Sequence, residues 1–240
     1  MLHRMDGHSD FKVITPVTTI ASFFTDKLII NNALGIDSSI DIFSTDPVFY
    51  KDDNGIYEYL YEKGNQLTVI AFALTNFINY FSETATEFDP LRETTKNAFE
   101  LIANEVESTF SETILKIDIE SKIFIDALLA RAEIFTASNA IDESILQNAS
   151  ILLSGLLPVV ELKEFSFLTD ATLTFALETF QTDFLNVLDN SISDDVVNSY
   201  ETDILNYIAE DQGVDPDLLA PEITAINTVS YTHLTLPTKE

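Results

Sequence analysis

Gln66–Phe81, QLTVIAFALTNFINYF, restricts what this chain can fold into more than any other stretch. Leu67, Ile70, Ala71, Leu74, Phe77, Ile78 and Phe81 recur at spacings of three and four, which puts them on one side of a helix. Val69, Phe72 and Ala73 add apolar surface on the remaining sides, so the sequence predicts a helix with little of its surface left for water. Such a helix belongs in the middle of a domain. Its sixteen residues fall short of the run of about twenty that spans a bilayer, and Glu62, Lys63 and Glu83 flank it.

The rest of the chain reads as amphipathic helices that can cover this one. Thr15-Pro16 is a helix start, with Thr as N-cap and Pro at the first helical position, where its missing N–H is no loss. VTTIASFF follows, then a short segment Asp26–Leu34 ending at Gly35, which suits the residue just past a helix end. The central helix is expected from near Ile56 to about Glu83, with Gly64 as a break or kink. Further helices are expected over Leu91–Phe110, Glu120–Thr136, Ile145–Leu156 with a stop near Pro158, Asp170–Asn190 and Asp194–Glu210. The fold class is therefore all-α, a bundle-like array of about seven helices around residues 66–81. Residues 1–14 read as a polar, extended lead-in and 15–213 as the helical domain, in one body or in two sub-bundles parting near 111–120; 214–228 reads as a linker. Phe11–Ile14 fits either a short strand or extended chain.

Charge narrows the function classes. Forty acidic against twelve basic residues give a net charge of −28. That opposes nucleic-acid binding, which depends on Lys and Arg neutralising phosphates, and opposes docking on anionic membranes. It favours solubility, repulsion between copies and attraction of cations, and suits salty surroundings that screen the repulsion. With no cysteine, disulfides, thiolate nucleophiles and Cys-based metal sites are all ruled out.

Little catalytic chemistry is on offer. His3 and His8 lie in the lead-in and His233 near the far end, so the helical body has no imidazole for a Ser-His-Asp triad or a His-based zinc site. No glycine-rich phosphate loop occurs. Among so many carboxylates no glycosidase-like pair can be singled out. Asp52, Asp53, Asn54 and Gly55 suggest an EF-hand loop, but placing Gly55 at its glycine puts Tyr50 at the first ligand position and Tyr61 where the bidentate Glu belongs. The motif fails. Irregular Ca²⁺ sites remain as candidates at Asp37, Asp41 and Asp46 in one loop and at Asp211, Asp215 and Asp217 in another, against the reading of such blocks as solvated surface. Asn148-Ala149-Ser150 has the form of a glycosylation sequon inside an expected helix.

Two segments carry a resemblance. Val13–Ile20, VITPVTTI, resembles the "TPLTTL" word of a helical region in very large bacterial extracellular proteins, and Ala33–Pro47, ALGIDSSIDIFSTDP, is similar to the "ALGLP…D…DP" segment that follows it. The resemblance covers residues 11–47 and implies a secreted or cell-surface, adhesin-like parent in which this region lies between β-sandwich repeats. It implies no catalytic or cofactor-binding residues. At the other end, Val229–Thr238, VSYTHLTLPT, resembles the translated end of a sequencing-library adapter, so 229–240 is expected to be an artefactual tail and the natural termini to lie elsewhere. The expectation is a non-enzymatic spacer module whose partners are neighbouring domains of its own chain, with Ca²⁺ as a candidate stiffener. The alternative is a stand-alone helical protein holding an apolar ligand or partner helix in a cavity lined by Phe72, Phe77, Phe81, Phe175 and Phe180.

Overall fold

A computed structural model describes residues 3–5, 11–26, 28–45, 56–82, 90–110, 116–136, 141–161 and 170–212. The fold is all-α in these residues, apart from one small hairpin. The hairpin pairs β1 (His3–Met5) antiparallel with β2 (Phe11–Val13), His3 opposite Val13 and Met5 opposite Phe11. The expected lead-in is thus a paired ribbon at these positions, and Val13 N–H also donates to the Phe43 carbonyl at 2.8 Å.

The helices among the described residues are α1 (Pro16–Ala21), α2 (Leu28–Leu34), α3 (Ile56–Phe81), α4 (Pro90–Thr109), α5 (Lys122–Thr136), α6 (Glu143–Glu161), α7 (Asp170–Leu188) and α8 (Asp194–Gln212). The packing divides the chain into two units, Met1–Ile119 with Ile123–Ile141, and Glu120–Lys122 with Asp142–Glu240. The sequence leaves one body or two parting near 111–120; the two units exchange at Ile119/Glu120 and Lys122/Ile123, and the main boundary falls between Ile141 and Asp142.

In the first unit α3 packs along α4, and α1 lies against both. Val17 and Ile20 of α1, Leu67, Ile70, Leu74 and Phe77 of α3, and Ala98, Ile102 and Val106 of α4 are fully buried. Burial of side chains this size contributes about 1.5–3 kcal/mol each, which is why α3 can hold the unit together. Two expectations about α3 change. Gly64 does not break it; the helix runs through that position, and Gly64 sits buried beside α1 with Pro16 as neighbour. Nor does the helix lack an outer side, since Thr68, Phe72, Asn79 and Tyr80 are exposed.

In the second unit α6 packs against α7 and α8, which also touch each other. Leu152, Leu153, Leu156, Phe180, Phe184, Val187, Val197 and Ile204 form its core. Asp142 caps α6, its Oδ1 accepting from the Ser144 N–H at 3.0 Å and the Ser144 hydroxyl at 2.9 Å. The helix does not stop at Pro158 but runs on to Glu161. Proline removes one backbone bond and crowds the preceding turn. Just there Ser154 donates its hydroxyl back to the Ser150 carbonyl at 2.8 Å, an arrangement that eases a bend in the helix. Burial of Leu156, Leu157 and Pro158 offsets the lost bond.

Candidate functional site

The segment carrying the family resemblance is the natural place to look for a site, and Thr15, Thr18, Thr19, Asp37 and Asp41 within it are each bonded to nearby backbone. The Thr15 hydroxyl accepts from the Thr18 N–H at 3.1 Å while the Thr18 hydroxyl accepts from the Thr15 N–H at 2.8 Å, a reciprocal capping box. The Thr19 hydroxyl donates to the Thr15 carbonyl at 2.8 Å. At the end of α2, Gly35 has φ of +69°, the Gly35 N–H donates to Asn32 O at 3.1 Å and the Ile36 N–H to Asn31 O at 2.8 Å. This pair of bonds makes a Schellman end, and only glycine enters that left-handed conformation without strain.

The chain then turns through the loop that holds the calcium candidates. Asp37 Oδ1 accepts from the Ser39 N–H at 2.8 Å, and that bond holds its carboxyl below the usual carboxylate range. Asp41 Oδ1 accepts from the Phe43 N–H at 3.0 Å and its Oδ2 from the Ser44 hydroxyl at 2.7 Å. Each carboxylate folds back on its own turn, the local bonding that suits Asp to loops. Asp46 lies outside the described residues, as do Asp215, Asp217, Tyr50 and Asp52–Gly55; Asp211 falls in the last turn of α8. Among the described residues no three His, Asp or Glu side chains gather as a metal ion would require. Beneath the loop Asn31 is buried, its Nδ2 donating to Ile40 O at 3.3 Å, and its Oδ1 has no hydrogen-bond partner among the described residues.

Two further polar clusters of the first unit form only when separate segments meet in the fold. The Tyr59 hydroxyl donates to Leu34 O at 2.7 Å, tying α3 to the end of α2. Lys63 Nζ and Lys116 Nζ stand 5.2 and 5.1 Å from the centre of the Tyr59 ring, within the range of cation–π attraction. Lys63 is buried and donates to Gln66 Oε1 at 2.8 Å. The second cluster centres on buried Glu105 of α4. Its carboxylate pairs with the Arg131 guanidinium of α5 and accepts from the Thr109 hydroxyl at 2.8 Å, and Arg131 also donates to the Ser108 hydroxyl at 2.7 Å. The signal was there to be read: Glu105 stands on the apolar stripe of α4 between Ile102 and Val106, where an acid needs a partner.

In the second unit Tyr200 is buried with no partner for its hydroxyl among the described residues, and burial followed by the nearby Asp183 charge pushes its pKa up. Burial also raises the Asp183 carboxyl. Ser150 of the sequon is fully buried within α6. Of the phenylalanines expected to line a cavity, Phe77 is in the core of the first unit with its ring 4.9 Å from that of Phe81, Phe180 is in the core of the second beside Phe184, Phe72 is exposed, and the Phe175 side chain lies outside the described residues. Of the histidines, His3 is in β1, while His8 and His233 lie outside the described residues.

These clusters join helix to helix or turn to turn. No family model, curated protein or solved structure matches the chain. Among the described residues no helix is long and apolar enough to cross a membrane.

Proposed function

We propose that the chain is a non-enzymatic helical module of a large bacterial surface or secreted protein, holding neighbouring domains of the same polypeptide apart. The observation that carries this reading is how the polar residues of the resembling segment are used. Thr15, Thr18, Thr19, Asp37 and Asp41 are each bonded to their own turn or cap. A segment built in this way supplies shape. The charge of −28 agrees, since it keeps copies apart and is best tolerated in salty extracellular surroundings.

Calcium enters this reading only as a stiffener through Asp37, Asp41 and Asp46, and a calorimetric Ca²⁺ titration of the Asp37→Asn/Asp41→Asn variant beside the parent chain tests it. The role itself is tested by long-read sequencing of the source DNA across both ends of the reading frame. Repeated domain-length sequence on both sides supports the spacer. A short frame with a secretion signal and a stop codon near residue 228 would sink it.

A further inference from the structure

The two units carry their charge differently. The helices that build the second, α6, α7 and α8, hold eleven Asp and Glu and no Lys, Arg or His. In the first unit α4 has Arg92 and Lys96 among its acids, and Glu105 has Arg131 to pair with. From Asp142 to Gln212 the sequence contains one cation, Lys163, which lies outside the described residues. Lys122, which belongs to the second unit, donates to the Ser150 hydroxyl at 3.4 Å. Position adds to the imbalance. The macrodipole favours acids at a helix start, as with Glu143 of α6 and Asp194 and Asp195 of α8. It opposes them at the far end, yet α8 finishes with Glu210 and Asp211, and no basic residue stands in the last turn of any of the three helices. Inside the unit Tyr200 of α8 is buried with its hydroxyl unpartnered among the described residues, and the partly buried Asp183 of α7 acts on it electrostatically. Burial of a hydroxyl without a compensating bond takes stability away.

We propose that the second unit is a salt-dependent fold: at neutral pH it is closed in saline and opens in dilute solution, while the first unit stays folded in both. Screening is the variable that does this. The Debye length is about 30 Å at 0.01 M salt and about 3 Å at 1 M, so the same carboxylates repel across the whole unit in dilute buffer and scarcely beyond contact in brine. The response is spread over three helices and needs no bound ion. It does not rest on the spacer role.

The test is amide hydrogen exchange of the full chain at neutral pH, read by mass spectrometry in about 0.01 M and about 1 M NaCl. Peptides from α6 and α8 are expected to lose protection about tenfold or more in the dilute buffer, and those from α3 and α4 less than about threefold. Glu178→Lys/Glu210→Lys, both at exposed positions, is expected to remove at least half of the second unit's response on a logarithmic scale. Glu100→Lys/Glu107→Lys makes the same change of charge at exposed positions of α4 and is expected to remove much less. Circular dichroism in the concentrated salt confirms that each variant folds. Equal responses in the two units, no response in the second, or equal effects of the two lysine pairs would overturn the proposal. Protection restored in dilute buffer by submillimolar CaCl2 would also overturn it, giving the response to a bound ion.

Discussion

The same substitution at two glycines should change stability in opposite directions. Gly64 lies inside α3, and a Cβ added there would meet only Pro16 Cδ, at 4.0 Å, an ordinary contact. Alanine in a helix interior is favoured over glycine by about 0.5–1 kcal/mol, so Gly64→Ala should stabilise the first unit by that amount. Gly35 sits at φ +69°, and a Cβ there would lie 2.8 Å from Cδ and Cε of Lys116. The left-handed conformation costs an L-residue about 1–2 kcal/mol. The Lys116 stem must also move, and with it the ammonium beside Tyr59, a contact worth about 0.5–1 kcal/mol at an exposed site. Gly35→Ala should therefore destabilise by about 1–3 kcal/mol. Urea unfolding followed at 222 nm measures both, and with a slope of about 2 kcal/mol/M the two variants should differ in midpoint by about 1 M. A destabilising Gly64→Ala would mean that α3 is interrupted at that position. A neutral Gly35→Ala would mean that α2 does not end in a left-handed residue.

Three further outcomes follow from other contacts. Thr15→Ala removes one half of the capping box and should lower the stability of the first unit by about 1 kcal/mol, read as a shift in urea midpoint without a change in slope. Arg131→Met leaves the buried Glu105 carboxylate with Thr109 alone and should destabilise by about 1–3 kcal/mol in the same assay; adding Glu105→Leu should recover most of the loss, because an apolar pair of similar volume needs no desolvation. Asp183 has its pKa raised by burial from 3.8, so its neutral form favours folding; that contribution is fully present below 3.8 and is lost as pH rises through the raised value. Asp183→Asn should thus stabilise the second unit at pH 7 and lose its advantage toward pH 3.5, in thermal melts at matched ionic strength.

Much of the architecture was legible because it rests on periodicity and on residues with one backbone preference. Thr15-Pro16 marked the start of α1, and Gly35 the end of α2, for the reasons that the capping box and the left-handed φ display. Where the sequence misled, tertiary packing outweighed a local rule. Pro158 is a helix breaker by itself, yet α6 runs past it with Leu156 and Leu157 fully buried in the turn before. Gly64 lowers helix propensity, yet α3 runs through it because the flanking turns bury Leu60, Leu67 and Ile70. At a second helix end of this kind among the described residues, α7 closes on Asn190 with φ of 53°, a residue that tolerates the left-handed region less readily than glycine and so gives a weaker signal. The polar clusters were harder to see. Pairing Glu105 with Arg131, or Tyr59 with Lys116, depends on which segments become neighbours in the fold, and spacing within one helix carries no such information. The loop acids were visible as a cluster, but the fold uses Asp37 and Asp41 one turn at a time.

The first unit is built on α3 as one unbroken helix with a buried inner face. Native-state amide hydrogen exchange tests it directly, because protection reports the free energy of opening at each backbone N–H. The account predicts that residues 60–78 exchange more slowly than α1, α2 and α5, with protection continuous across Gly64 and its neighbours Lys63 and Gln66. Rapid exchange at 62–66, or greatest protection in another helix of the unit, would contradict it.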